Sequence, residues 1–288
     1  MSSTRFPVVL VVGASGGLGA STLAAALGRR AAAAFGSSVL VDLDLTGGGL
    51  DVTVGVEHVP GSRWVDLREV RGRLDGRRLL EVLPTSVHCA LLSAGMATTA
   101  GVTTTAGVTT AAGVTRAGGG GTGGGPTERD VGPAAAGAGD TDVVGAVPVE
   151  AVADVLAALS DGRHPVVLDV PARSPLAGLA LGASDAVVAV SGLHARGVAD
   201  LGALRAALGR PGAERPGTPL LVTTGGRAPV DAVEALSEHL DVVHVGHLPD
   251  DPRVARSAEA GEWPGGAGRL RHVADAVLAV VAGPGAAA

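Results

Sequence analysis

The sequence predicts an α/β protein built on a doubly wound, mostly parallel sheet. Short Val/Leu-rich runs of strand length alternate with Ala/Leu-rich stretches long enough for helices. The runs are almost continuously apolar, as strands covered on both faces are, rather than alternating with polar residues. The first run ends in a glycine-rich turn that opens directly into the first helical stretch, a strand–turn–helix join typical of α/β architecture.

In chain order, strands are expected at Val8–Val12, Val39–Asp42, Cys89–Leu92, Val166–Asp169, Ala186–Val190, Leu220–Thr223 and Val242–Val245. Helices are expected near Ser21–Phe35, Val149–Leu159, Gly197–Leu208, Val230–Leu240 and Arg269–Val281. The 288 residues fit one large domain or two small ones. With 46% hydrophobic and only 1% aromatic residues, the core must be built from Val, Leu and Ala. The rhythm breaks from Ala94 to about Asp142, where the chain is almost wholly Ala, Gly, Thr and Val. A six-residue repeat there is marked by Gly95, Gly101, Gly107 and Gly113, and a glycine tract, Gly118–Gly121, follows. Without a regular large apolar anchor such repeats bury little, so the segment reads as a low-complexity insertion in a surface loop. Residues 1–288 are therefore expected to form a single domain interrupted at about 94–142.

Composition excludes several chemistries. The sequence contains no Lys, Asn, Gln, Ile or Tyr, so all 22 basic residues are arginines and no lysine or tyrosine mechanism is open to it. A net charge of −6 gives no general affinity for nucleic acid or anionic lipid. The single cysteine, Cys89, lies in an apolar run and reads as a buried, inert thiol. Eight histidines include no His-Glu-x-x-His, and His244 and His247 read as loop or surface groups. Val8–Val12 is too short for a signal-peptide core, and no apolar stretch reaches membrane-span length. A cytoplasmic protein is the expectation. The Arg63–Arg78 stretch, interleaved with Asp66, Glu69 and Asp75, reads as a solvated amphipathic face, with Trp64, Leu67, Val70 and Leu74 packing at helical spacing.

The chemistry concentrates in Gly13-Ala14-Ser15-Gly16-Gly17-Leu18-Gly19-Ala20-Ser21-Thr22. Glycines let a backbone turn tightly and approach a ligand, and amides at a helix N-terminus then face an anion, so a phosphate site is expected. Two layouts share this pattern. Gly13, Gly17 and Gly19, with Asp42 or Asp44 near a ribose, would suit a dinucleotide-binding Rossmann protein. The Tyr/Lys chemistry of short-chain dehydrogenases is excluded, which leaves that reading non-catalytic. Alternatively, Ser15-Gly16-Gly17-Leu18-Gly19-Ala20-Ser21 resembles the deviant Walker A loop of the MinD/ParA group of P-loop ATPases, with the glycines and the hydroxyl retained and both lysines replaced. Val39–Asp44 resembles the Asp-x-Asp switch of that group, Gly48-Gly49-Leu50-Asp51 continues it, and Val166–Asp169 resembles its Walker B strand. Leu248–Val254 with Gly261 resembles the segment that often holds the base. Gly19-Ala20-Ser21-Thr22 together with Pro60–Leu67 is similar to the actinobacterial CpaE-like subgroup, which includes septum site-determining proteins. The resemblance implies a member without the N-terminal receiver-like domain that many carry, since the first strand begins at Val8.

The resemblance implies Gly16, Gly17, Leu18, Gly19, Ala20, Ser21 and Thr22 as the phosphate loop, with Pro249 and Asp250 near the base. It implies Mg²⁺ held by Ser21 and, through water, by Asp42 and Asp169, with Asp44 positioning the attacking water. Strand-end carboxylates also suit a doubly wound sheet, where ligands bind at the carboxyl ends of the strands. The expected cofactors are thus ATP and Mg²⁺. Ala20 in place of the loop lysine forfeits a charge-assisted contact of about 1.5–3 kcal/mol, or about 10- to 150-fold in affinity. Turnover suffers more, because phosphoryl transfer depends on stabilising developing charge. Arg29 lies about 13 Å along the helix from Ala20 and points away, whereas Arg173, four residues after Asp169, is better placed to meet phosphate. The expected function is septum-site regulation or Tad-type pilus/secretion assembly, with little or no hydrolysis, or a nucleotide-free scaffold. Expected partners are proteins of those machineries and a nucleotide-dependent second copy, with no direct nucleic acid and the membrane reached only through a partner, because Arg269–Val281 carries few cations.

Overall fold

The computed structural model describes residues 5–46, 49–95, 143–144, 147–171, 173–208 and 218–283, so almost all of the insertion expected at 94–142 lies outside the described residues. The chain enters as β1 (Val8–Gly13), turns through the glycine loop into α1 (Ala20–Phe35) and returns as β2 (Ser38–Asp42). Short elements follow: α2 (Leu50–Thr53), a 3₁₀ turn (Trp64–Leu67), α3 (Gly76–Val82), β3 (Thr85–Ser86) and β4 (Cys89–Leu92). A small pair, β5 (Val143–Val144) and β6 (Val147–Pro148), leads into α4 (Val149–Leu159), β7 (Val166–Val170) and α5 (Ala177–Gly182). The remainder alternates β8 (Ala186–Gly192), α6 (Ala195–Leu208), β9 (Leu220–Gly225), α7 (Val230–Leu240), β10 (Val243–Pro249), α8 (Pro252–Glu259) and α9 (Gly268–Ala282).

The main sheet has the order β10-β9-β8-β1-β7-β2-β4-β3. Its pairings are parallel except for β3 on β4. Every β1 residue is buried, which explains why its sequence shows no polar alternation. Val8, Leu10 and Val12 pack on the face carrying α4, α5 and the 3₁₀ turn, whereas Val9 and Val11 pack under α1 and α9. A smaller cluster of Ala189, Leu201, Leu221 and Leu236 seats α6 and α7.

Both tryptophans are buried with their indole N–H satisfied, Trp64 on the Asp42 carbonyl and Trp263 on the Ala25 carbonyl, each at 2.7 Å. Cys89 is wholly buried, as expected, and burial pushes its thiol up to about 12. A Cβ on Gly28 would come 3.0 Å from its sulfur, so this glycine lets α1 lie close on the sheet.

Three expectations need correction. Trp64, Leu67 and Val70 are buried, but the helix expected there is one 3₁₀ turn. Arg63 does not join a solvated face. Its guanidinium donates to the Val56 and Gly61 carbonyls at 3.1 Å and lies 3.6 Å from the buried Asp51 carboxylate. His244 and His247 lie within β10, half-buried, and both bond the buried Thr223 hydroxyl, at 3.0 and 3.1 Å. The cause is the register shift between His244 and Gly246, which carries the strand past the point where its apolar run stops.

Candidate functional site

After β2 the chain runs outward to β3 and β4, then comes back as β7 between β2 and β1, and the next strand of the main sheet, β8, lies on the far side of β1. The winding therefore reverses at β1, and a doubly wound sheet opens its ligand crevice at the carboxyl end of such a strand. The glycine loop occupies that position. Gly17 and Gly19 adopt φ of 76° and 78°, conformations that favour glycine. A Cβ on Gly13 would come 2.8 Å from the Ser15 carbonyl, so the loop could not fold back this tightly over a larger residue. Gly19 begins α1 with no side-chain cap, which leaves the first-turn amides facing outward at the loop. Ser21 and Thr22 thus do not serve as caps.

A cavity of about 620 Å³ opens at the loop. Among the residues expected from the sequence, it brings together Gly16–Ser21, Asp42, Asp44, Asp169 and Arg173. Thr22 lies one residue further along α1 and does not line it. Pro249 and Asp250 also do not line it; they are exposed at the carboxyl end of β10, three strands from β1 in the sheet. Arg29 is committed elsewhere, donating to the Trp263 carbonyl at 2.6 Å. Sequence reasoning missed Arg196 and Asp200 of α6, which both line the cavity.

The carboxylates have distinct jobs. Asp42 and Asp169 are register partners on adjacent parallel strands, both buried beneath the start of α1. Asp42 accepts the amides of Asp44 and Leu50, each at 2.9 Å, and so spans the base of the loop between them. The Trp64 indole holds the Asp42 backbone from the opposite side. Asp169 takes a hydrogen bond from the Ser21 hydroxyl, which couples the loop to β7. Burial is the main force on both acids, raising Asp42 to about 6 and Asp169 to about 7, with neighbouring carboxylates adding to the rise. Asp44 is half-buried and accepts the Thr46 hydroxyl at 3.1 Å.

Two carboxylates and a hydroxyl form a hard-oxygen donor set of the kind Mg²⁺ takes. Desolvation holds both acids toward the proton-bearing form, and a divalent cation offers the compensation that no lysine supplies. The residues present therefore fit the metal.

This sheet order, with the glycine loop at the carboxyl end of β1, is the fold of the ParA and MinD ATPases. A ParA family ATPase from Chlorobium tepidum TLS superposes with a TM-score of 0.64 at 15% identity, over 96% of this chain and 100% of its own. MinD in the MinC:MinD cell division complex of Aquifex aeolicus gives 0.63 at 14%, over 96% of each chain. The septum site-determining protein MinD of Pyrococcus horikoshii OT3, complexed with Mg-ADP, gives 0.57 at 18%, over 97% of this chain and 100% of its own. At these identities the likeness establishes the fold.

In sequence, the chain is 44% identical over 86 residues to an uncharacterized protein of Mycobacterium tuberculosis. That match spans 30% of this chain and 23% of the relative. No protein-family profile matches the sequence.

Proposed function

We propose that this protein binds Mg·ATP at the glycine loop and acts as a MinD/ParA-type nucleotide switch that hydrolyses little or none of it. The single observation that carries the reading is the convergence, at the carboxyl ends of β1, β2 and β7, of an uncapped helix start, a glycine loop and two buried carboxylates. The loop amides and α1 would hold phosphate, while Ser21, Asp42 and Asp169 would hold Mg²⁺. Bound there, Mg²⁺ would neutralise phosphate charge. Asp42 already ties Leu50 to β2, so a ligand that moved this carboxylate would also move the segment that follows it. Ala20 and Ser15 supply no cation, which weakens stabilisation of developing charge more than it weakens binding.

By resemblance to CpaE-like and septum site-determining proteins, the nucleotide state would be read by protein partners in septum placement or in Tad-type pilus and secretion assembly. MinD bound to MinC is an example of such pairing in this fold. A nucleotide-dependent second copy of the chain is the accompanying expectation. Among the described residues no helix is long and apolar enough to cross a membrane.

The test is titration of purified protein with a fluorescent ATP analogue, with and without Mg²⁺. Saturable, Mg²⁺-dependent binding that unlabelled ATP displaces supports the switch. No binding up to millimolar concentration leaves a P-loop-shaped scaffold whose function lies in its partners alone.

A further inference from the structure

The cavity is short of positive charge. Asp42, Asp44, Asp169 and Asp200 line it against two guanidiniums, Arg173 and Arg196. Neither arginine is engaged in a hydrogen bond or ion pair among the described residues. They come from the strands flanking β1 on either side, Arg173 from the segment after β7 and Arg196 from α6 after β8.

The position of Arg196 is built by its surroundings. The Ala14 amide donates to the Val190 carbonyl at 2.8 Å, fastening the glycine loop to the end of β8. The wholly buried Ser191 donates its hydroxyl to the Gly197 carbonyl at 3.0 Å, fastening the first turn of α6 to the same strand end. A Cβ on Gly197 would come 2.5 Å from the Gly192 carbonyl, so glycine is what permits that close approach. Arg196 is the immediate neighbour of Gly197, and the turn that bears it is pinned while its side chain is exposed. Arg173 is also exposed and sits in a turn closed by the Ser174 amide on the Pro171 carbonyl at 2.9 Å, a local contact rather than one to a neighbouring strand end.

We propose that Arg196 is the phosphate-binding cation of this site, taking the place of the loop lysine on the terminal phosphate of a nucleoside triphosphate. The assignment rests on the nucleotide-binding reading above. A cavity with more carboxylates than guanidiniums admits a polyanion together with a metal, and the added phosphate of a triphosphate carries the charge that a guanidinium meets best. Arg196 therefore distinguishes triphosphate from diphosphate.

The experiment compares fluorescent analogues of ATP and ADP at saturating Mg²⁺ on the wild type, Arg196→Ala, Arg196→Lys and Arg173→Ala. Arg196→Met, which keeps the side-chain stem, replaces Arg196→Ala if thermal unfolding shows that variant to be misfolded. Removing the guanidinium is expected to weaken ATP at least about tenfold and ADP by less than about threefold, with partial recovery in Arg196→Lys. Arg173→Ala is expected to leave the ATP-to-ADP ratio near that of the wild type. Wild-type affinity for ATP in Arg196→Ala, or equal losses for ATP and ADP, overturns the assignment and leaves the nucleotide reading standing. A wild type that binds neither nucleotide removes the nucleotide reading itself.

Discussion

Replacing Asp169 by Asn should stabilise the ligand-free protein at alkaline pH and do little at acid pH. Asp169 is 4% exposed, stands beside Asp42 on the neighbouring strand, and is raised by burial from 3.8 to about 7. A carboxyl whose folded value lies above its unfolded one holds its proton more tightly in the folded state. Its contribution to stability is fully present below about 3.8 and is lost as pH rises through about 7. About three pH units correspond to a cost on the order of 4 kcal/mol once the group must ionise in place. Asn is neutral, nearly isosteric, and retains an oxygen to accept the Ser21 hydroxyl. The assay is urea unfolding of both proteins in EDTA, without nucleotide, from pH 4.5 to 8.5. The difference in unfolding free energy should be about 1 kcal/mol at pH 4.5 and grow to about 4 kcal/mol in favour of the variant at pH 8.5. A difference that stays flat with pH, or a variant less stable than wild type at pH 8.5, would refute the claim that burial of this carboxylate dominates its energetics.

Other consequences can be read separately. Gly16 lines the cavity without a positive φ, and a Cβ there would meet no protein atom within 4 Å, so Gly16→Ala should leave thermal stability nearly unchanged. It should nonetheless weaken Mg·ATP at least about tenfold by blocking close approach to the loop, and unchanged affinity would count against a phosphate there. Ala20→Lys should tighten ATP about 10- to 150-fold, measured by displacement titration; no gain would mean that the loop does not present this position to phosphate. Trp64→Phe leaves the Asp42 carbonyl without its indole donor and should cost about 1–3 kcal/mol in denaturant unfolding. Cys89 should resist thiol reagents at pH 8 in the folded protein and react only as fast as the protein unfolds, since burial holds its thiol near 12.

The long elements were legible because burial on both faces writes itself as an unbroken apolar run. Cys89–Leu92, Val149–Leu159 and Val230–Leu240 match the expectation residue for residue. Elements such as α2 and α5 are too short to show a helical period. β10 was cut short because its irregular pairing and Gly246, packed 3.0 Å from Val273 when given a Cβ, interrupt the apolar signal.

The site divides the same way. Its glycine loop and strand-end aspartates are local in sequence and could be named. Arg196 and Asp200 reach the cavity only because β8 pairs with β1, a neighbour relation that no local pattern encodes. Arg63 looked like one more surface charge because its partners are mostly backbone carbonyls, which leave no mark in sequence.

The most direct test of the central claim, that the amides of the glycine loop hold phosphate, is hydrogen exchange of the intact protein with and without Mg·ATP. Bound Mg·ATP should slow exchange in the peptides covering Gly13–Leu23 and the Asp42–Leu50 segment that Asp42 ties together. Unchanged exchange in both peptides at millimolar Mg·ATP would contradict it.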